Sequence, residues 1–268
     1  MSNEYSAIKF DRRDRVGIVT LNNPKQRNPF TPALMKDFAH LFNELQLDTE
    51  LGALVITGSG GHFCAGGDIK GMTRERTVEQ GRRNLYSIHD WFQKLLNLEI
   101  PVITAIDGAA YGGGFSIALA SDFVLLSDRA RLCCVFSRIG LVPDVGVLFT
   151  LPRIVGMQKA KELMFTARPI SPQECVDLGI AMSIHTPDKL LDDAMVLANR
   201  MCEASTGAIG MTKRILNQSF QLDANALVEM EAAAQGSLLT SAYHKDAIKR
   251  FLAKEPLRFN WELMDSND

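Results

Sequence analysis

Two glycine-rich stretches hold residues whose types and spacing suit chemistry. The first, HFCAGGDIKGM at 62–72, follows an apolar run at 53–57; the second, IDGAAYGGGFSIALASD at 106–122, follows one that ends at Ile106. Consecutive glycines let a backbone approach a ligand with no Cβ in the way. The second stretch leads into a helical pattern. At a helix N-terminus the unpaired N–H groups point outward and the dipole favours negative charge. Two such loops, each at the C-terminal end of a strand, can converge on one oxygen and form an oxyanion hole. Either loop alone would read as a tight turn; together they favour stabilisation of a negative oxygen.

Other chemistry fits less well. GSGGHF begins like a dinucleotide fingerprint but carries Phe63 where the third glycine belongs, and no P-loop or H-E-x-x-H occurs. A hydrolase elbow is missed by one residue at Gly114–Ala118, which leaves Ser116 as a small packing residue.

Strand and helix patterns alternate around these loops. Strands are expected at 16–21, 53–57, 101–106 and 123–126. Helices are expected from Thr31 as N-cap, with Pro32 next, to residue 47, then at 78–97 and 114–121. This alternation argues for an α/β fold with parallel pairing. After about residue 186 four amphipathic helices follow, at 188–201, 209–221, 224–239 and 243–253. An α/β core at 1–186 and a helical region at 187–268 are therefore expected, with no low-complexity linker between them.

The chain has 268 residues, 46% hydrophobic and 22% charged, and a net charge of −2. That balance gives no electrostatic footprint for nucleic acid or an anionic membrane. Five cysteines (64, 133, 134, 175 and 202), with no C-x-x-C pair, argue against a disulfide framework or zinc site. The N-terminus shows no signal-peptide core, the last three residues are no peroxisomal address, and Asp122 breaks the apolar stretch at 115–126. A cytoplasmic protein without membrane spans is the expectation.

Three blocks carry a family resemblance. The first loop is similar to F-x-A-G-x-D-[IL], and PVITAIDGAAYGGG at 101–114 to P-V-I-A-A-[VI]-x-G-x-A-x-G-G-G. FSRIGLVPDVGVLFTLPRIVG at 136–156 matches a third block, and the likeness runs from LNNPKQRNPF at 21–30 to RFLAKEPLRF at 250–259. The chain thus resembles the crotonase (enoyl-CoA hydratase/isomerase) superfamily. The resemblance implies a spiral of ββα units, a helical C-terminal trimerisation region, and a homotrimer or hexamer. Its ligand would be an acyl-CoA thioester, with no separate cofactor because coenzyme A is part of the substrate. The N–H groups of Gly67 and Gly113 would hold the thioester oxygen. Ala65, Asp68 and Ile69 would line the adenine pocket, largely through backbone groups, and Gly66 would also meet the CoA. Lys25 and Arg27 would meet its phosphates, with a solvated loop as the plain alternative. Phe251 and Lys254 would reach the CoA of a neighbouring subunit, or Phe251 would simply pack.

The likeness to hydratases breaks at two positions. Their two glutamates fall at Ser116 and Phe136, neither of which transfers protons near neutral pH. One carboxylate, Asp144 in GLVPDVG, matches the acid of the superfamily's isomerases, including that of bacterial phenylacetate degradation. Its neighbours Leu141, Val142, Val145 and Val147 are apolar and would raise its pKa. As a plain alternative, Asp144 would cap a helix. The leading expectation is an isomerase that shifts a double bond or rearranges a ring. A hydratase (lyase) with a diverged site, nucleophilic attack by Asp144, and a non-catalytic CoA-thioester or RNA-binding protein are the alternatives; dispersed Lys and Arg speak against RNA. Cys64 is expected to face away from substrate, Cys133 and Cys134 to pack, His62 to lie near the pocket mouth, and Tyr111 to shape the acyl pocket. Phe30, Met72, Trp91, Phe115 and Phe136 belong to pocket or core, which the sequence does not separate.

Overall fold

The computed structural model describes residues 5–264, so the outer ends of both expected regions, and the last three residues, lie outside the described residues. The chain runs β1 (Ile8–Arg13), β2 (Val16–Leu21), α1 (Pro32–Leu45), β3 (Ala53–Gly58), α2 (Ile69–Met72), α3 (Val78–Leu96) and β4 (Val102–Ile106). It continues through β5 (Ala109–Tyr111), α4 (Gly113–Leu119), β6 (Phe123–Ser127), β7 (Arg131–Cys133), α5 (Val147–Val155), α6 (Met157–Thr166), α7 (Pro172–Asp177) and β8 (Ser183–His185). The helices α8 (Leu190–Cys202), α9 (Thr206–Leu216), α10 (Ala224–Leu239), α11 (Ala242–Ala253) and α12 (Trp261–Met264) complete it.

Capping and apolar spacing explain the long helices. Thr31 accepts the Leu34 N–H at 3.2 Å, Pro32 opens α1, and Leu34, Phe38, Leu41, Phe42 and Leu45 form its buried stripe. The helix stops two residues short of expectation, and Leu47 stands exposed. At α3, Thr77 and Gln80 form a reciprocal capping box.

The main sheet has the order β1-β2-β3-β4-β6-β8, parallel except for β1 against β2. The central parallel strands are covered on both faces, so β2, β3, β4 and β6 are mostly apolar. Val19, Leu21, Leu54 and Ile56 join the cluster that holds α1 and α3; Val16, Ile18, Val55, Ile103 and Leu125 lie under Ala194, Leu197, Ala198 and Met201 of α8. The first C-terminal helix therefore seals the core. By contrast α10 and α11 bury no residue. A second sheet pairs β5 with β7, both of three residues and neither anticipated. No helix among the described residues is long and apolar enough to cross a membrane.

Candidate active site

The two glycine loops are stitched to one another. Cys64 donates its N–H to Ala109 O at 2.8 Å, and Tyr111 donates to Cys64 O at 2.9 Å, a parallel bridge beyond the ends of β3 and β4. Gly112 donates to Cys133 O at 3.0 Å, which ties the second loop to β7. Phe30 donates to Gly66 O at 2.7 Å and Ala65 to Arg27 O at 2.9 Å, so the 27–30 segment flanks the first loop. Buried Asn28 clamps the same region: its Nδ2 donates to Ser59 O and His62 O, and its Oδ1 accepts the Asn23 N–H.

This proximity needs glycine at two places. Gly112 turns with φ +53° and ψ −117°, and a Cβ there would lie 3.7 Å from Gly66 Cα. A Cβ on Gly114 would come within 2.6 Å of Cys64 Cβ and 2.8 Å of its carbonyl oxygen. The Gly113 N–H opens α4 and, like any first helical N–H, has no acceptor within the helix. Among the described residues neither it nor the Gly67 N–H donates to protein. Both are free for an outside oxygen.

An aromatic cluster sets the loops in place. The Phe30 ring lies 3.0 Å from where a Gly113 Cβ would be, and meets Trp91 in a tilted pair at 5.9 Å between centroids. Trp91 in turn meets Phe38, Phe42 and Phe92. Trp91 and Phe115 are fully buried and Phe136 nearly so, which makes all three core residues. Met72 is exposed, with its Cε against Gly67. Cys64 is wholly buried, as are Cys133 and Cys134; burial pushes the Cys64 thiol up to about 11, against the pull of the Gly66 and Gly114 N–H groups.

Asp144 is half-buried and does not cap a helix. The N-cap of α5 is Gly146, and no side chain caps it. Among the described residues the Asp144 carboxylate has no hydrogen bond or ion pair. Burial pushes its carboxyl above the usual range, partly offset by the charge of His89 on α3. Of its four apolar neighbours in sequence, Val145 and Val147 are buried, while Leu141 and Val142 are exposed. Val145 adopts φ +51°, a conformation that costs a β-branched residue about 1–3 kcal/mol. Gly146 follows at φ +76°, where a Cβ would strike the Phe92 ring. Beneath this turn, Ser116 Oγ donates to Asp144 O at 3.1 Å. Ser116 is buried, as expected of a packing residue, and also makes this hydrogen bond; neither it nor His89 was legible as a neighbour of Asp144 in the sequence.

Apolar side chains stand exposed on three segments near these groups: Met72, then Leu85 and Tyr86 one turn before His89, then Leu141 and Val142. His62 is half-buried, with an unpartnered Nδ1. Lys25 and Arg27 are exposed on the segment that meets Ala65, Asp68 is half-buried, and Ile69 is exposed at the start of α2. Phe251 is exposed on α11 and Lys254 ends that helix; among the described residues no hydrogen bond or ion pair joins α11 to either loop. The chain itself therefore brings together the loops, Asp144 and Lys25/Arg27, but not Phe251 and Lys254. No group of three metal-ligating side chains occurs among the described residues.

Comparison with known proteins agrees with this geometry. The family described as enoyl-CoA hydratase/isomerase matches residues 11–262. A short-chain-enoyl-CoA hydratase of Clostridium acetobutylicum is 31% identical, over 95% of this chain and 97% of its own length. A 1,2-epoxyphenylacetyl-CoA isomerase of Escherichia coli is 28% identical, over 90% and 93%. The crystal structure of an enoyl-CoA hydratase/isomerase from Cupriavidus metallidurans superposes with a TM-score of 0.91 at 32% identity, covering 96% of this chain and 97% of that one. A match of that extent, with relatives of nearly equal length and the same fold, means that the chain belongs to the enoyl-CoA hydratase/isomerase family.

Proposed function

We propose that this member of the family is an acyl-CoA isomerase, moving a double bond or rearranging a ring through a thioester enolate. The observation that carries the reading is one unpaired carboxylate, Asp144, beside the two glycine loops, with Ser116 and Phe136 where hydratases would carry glutamates. Removing a proton from Cα of a 3-enoyl thioester puts charge on the carbonyl oxygen. The Gly67 and Gly113 N–H groups are aimed at that oxygen in this reading, and each such donor is worth roughly 3–4 kcal/mol in a preorganised site. Asp144 takes the Cα proton, the electron pair spreads over the dienolate, and the same acid returns the proton to Cγ. The product is the conjugated 2-enoyl thioester, with no net gain or loss of atoms. Hydration needs a second group to activate water, and the two positions that would supply it hold a serine committed to Asp144 O and a buried phenylalanine.

The relative named 1,2-epoxyphenylacetyl-CoA isomerase supports ring-derived thioesters as a substrate class, and the exposed Leu85, Tyr86, Leu141 and Val142 support an apolar acyl group. Most relatives bear the name hydratase, which supports a second reading as a hydratase with a diverged site. Ala65, Gly66, Asp68 and Ile69 are assigned to the CoA, with Lys25 and Arg27 at its phosphates. Phe251 and Lys254 are assigned to a neighbour's CoA in a homotrimer or hexamer; the unburied faces of α10 and α11 support such an assembly. The test is a panel of 3-enoyl, 2-enoyl and ring-derived CoA thioesters scored for isomerisation and hydration in parallel. Turnover of 2-enoyl-CoA to the 3-hydroxy product, with none of the 3-enoyl or ring substrates converted, would decide for the hydratase.

A further inference from the structure

Ser116 occupies a position whose chemistry the proposed reaction leaves unexplained. It is fully buried, and its hydroxyl faces two carbonyls, Gly112 O at 3.3 Å and Asp144 O at 3.1 Å. A hydroxyl has one hydrogen to give. Gly112 O already accepts the Ser116 N–H at 3.0 Å, within the first turn of α4. Among the described residues Asp144 O otherwise accepts only the Val147 N–H, at 3.3 Å. Satisfaction of buried acceptors therefore sends the hydroxyl hydrogen across to Asp144 O.

That carbonyl begins a turn that should not hold itself. Val145 and Gly146 both have positive φ, and a buried β-branched residue in that region persists only where its surroundings over-determine it. Phe92 presses on Gly146 from α3, Thr150 Oγ1 donates to Gly146 O at 3.3 Å from α5, and Ser116 holds Asp144 O from α4. Of these three, only α4 also carries an oxyanion donor, the Gly113 N–H, one helical turn before Ser116.

We infer that Ser116 is a positioning residue: its hydroxyl, bonded to the Asp144 carbonyl, fixes the 144–146 turn to α4, so that the acid/base group and the Gly113 N–H keep one distance and angle. This rests on the reading of Asp144 as the proton carrier. The hydratase-like position is then not vacant. Where that position would place a carboxylate on α4 itself, here it holds the segment that brings a carboxylate from 28 positions later. The groups near the Asp144 carboxyl that titrate are His89 on α3 and Cys134 ahead of the 135–139 turn; neither is on α4.

The test measures kcat, KM and the pH profile for isomerisation of a 3-enoyl-CoA by S116A, S116C and D144N. Ser116→Ala should lower kcat about 10- to 100-fold with KM unchanged, because a misplaced base costs rate rather than binding. Its acid limb should move to lower pH, because a carboxyl released toward water loses the burial that raised it. Ser116→Cys, which keeps a weaker donor of similar shape, should fall between Ser and Ala. A serine that merely packs would change stability and leave the acid limb where it is, and that result overturns the inference. So does wild-type kcat in S116A. Should S116A not fold, S116C with wild-type kcat and an unmoved acid limb overturns it equally. An inactive D144N beside a fully active S116A removes the anchor alone; an active D144N removes the proton-transfer reading beneath it.

Discussion

Two acidic residues near opposite ends of α4 live in contrasting surroundings. Asp122 follows the helix at its C-terminal side, where its carboxylate accepts the Val102 N–H at 2.7 Å and Lys213 Nζ at 2.6 Å. Lys213 is buried and also donates to Ile100 O at 2.7 Å, so the pair pins α9 to the entry of β4. Asp144 meets the helix near its N-terminal side through Ser116, and its carboxylate has no partner among the described residues. Burial pushes both carboxyls up. At Asp122 a charge, its hydrogen bond and a backbone N–H all oppose that push; at Asp144 only the charge of His89 does. A protein that supplies a full set of partners at one end of a helix and withholds them at the other is treating the two acids differently. A half-buried, unpaired carboxyl costs stability, which supports the role proposed for Asp144; a paired one holds elements together.

The sharpest way to break this contrast is substitution at both ends. Asp144→Asn should lower isomerase turnover about 10²- to 10⁴-fold. It should leave the melting temperature equal or higher, since a neutral amide removes a charge that burial disfavours. A variant that loses stability instead of rate would make Asp144 a structural acid like Asp122. Lys213→Met should do the reverse. It leaves Asp122 without its cation, costs about 3–5 kcal/mol in denaturant unfolding, and spares kcat of the folded fraction. Loss of kcat with unchanged stability there would erase the distinction from the other side.

Smaller effects separate the two glycine loops. Gly113→Ala would push against the Phe30 ring, which is locked on Trp91, and should displace the N–H enough to cost about 10- to 100-fold in kcat. Gly67→Ala meets only the flexible end of Met72 and should cost less. Equal losses would show that both donors are held with the same stiffness. The smallest effect concerns pH. In the proposed reaction Asp144 takes a proton only when ionised, and burial raises its folded pKa, so activity should fall away at a pH above the ordinary carboxylate range. His89→Gln removes the charge that offsets burial and should move that limb further up, as a pH–rate profile would record.

Much of the fold was legible because its signals are local. Thr31-Pro32 announces α1 through its cap, and the runs that became β2, β3 and β4 are mostly apolar because both faces are covered. The three-residue strands β5 and β7 have no period to detect; they exist because the second loop needs a neighbour to hold its backbone. The cysteine in the first loop gave no hint that Gly114 would pack directly on it.

The sequence alone pointed to the glycine loops through their spacing and to Asp144 through the family resemblance, because motifs are properties of short segments. Only the tertiary structure decided which groups would serve them. Ser116, Asn28, His89 and Phe92 act on the site through partners many positions away, and a serine in a small apolar helix looks the same whether its hydroxyl is idle or bonded. The strain at Val145 is likewise invisible in a Val-Gly dipeptide, since it comes from what surrounds the turn and not from its own preferences.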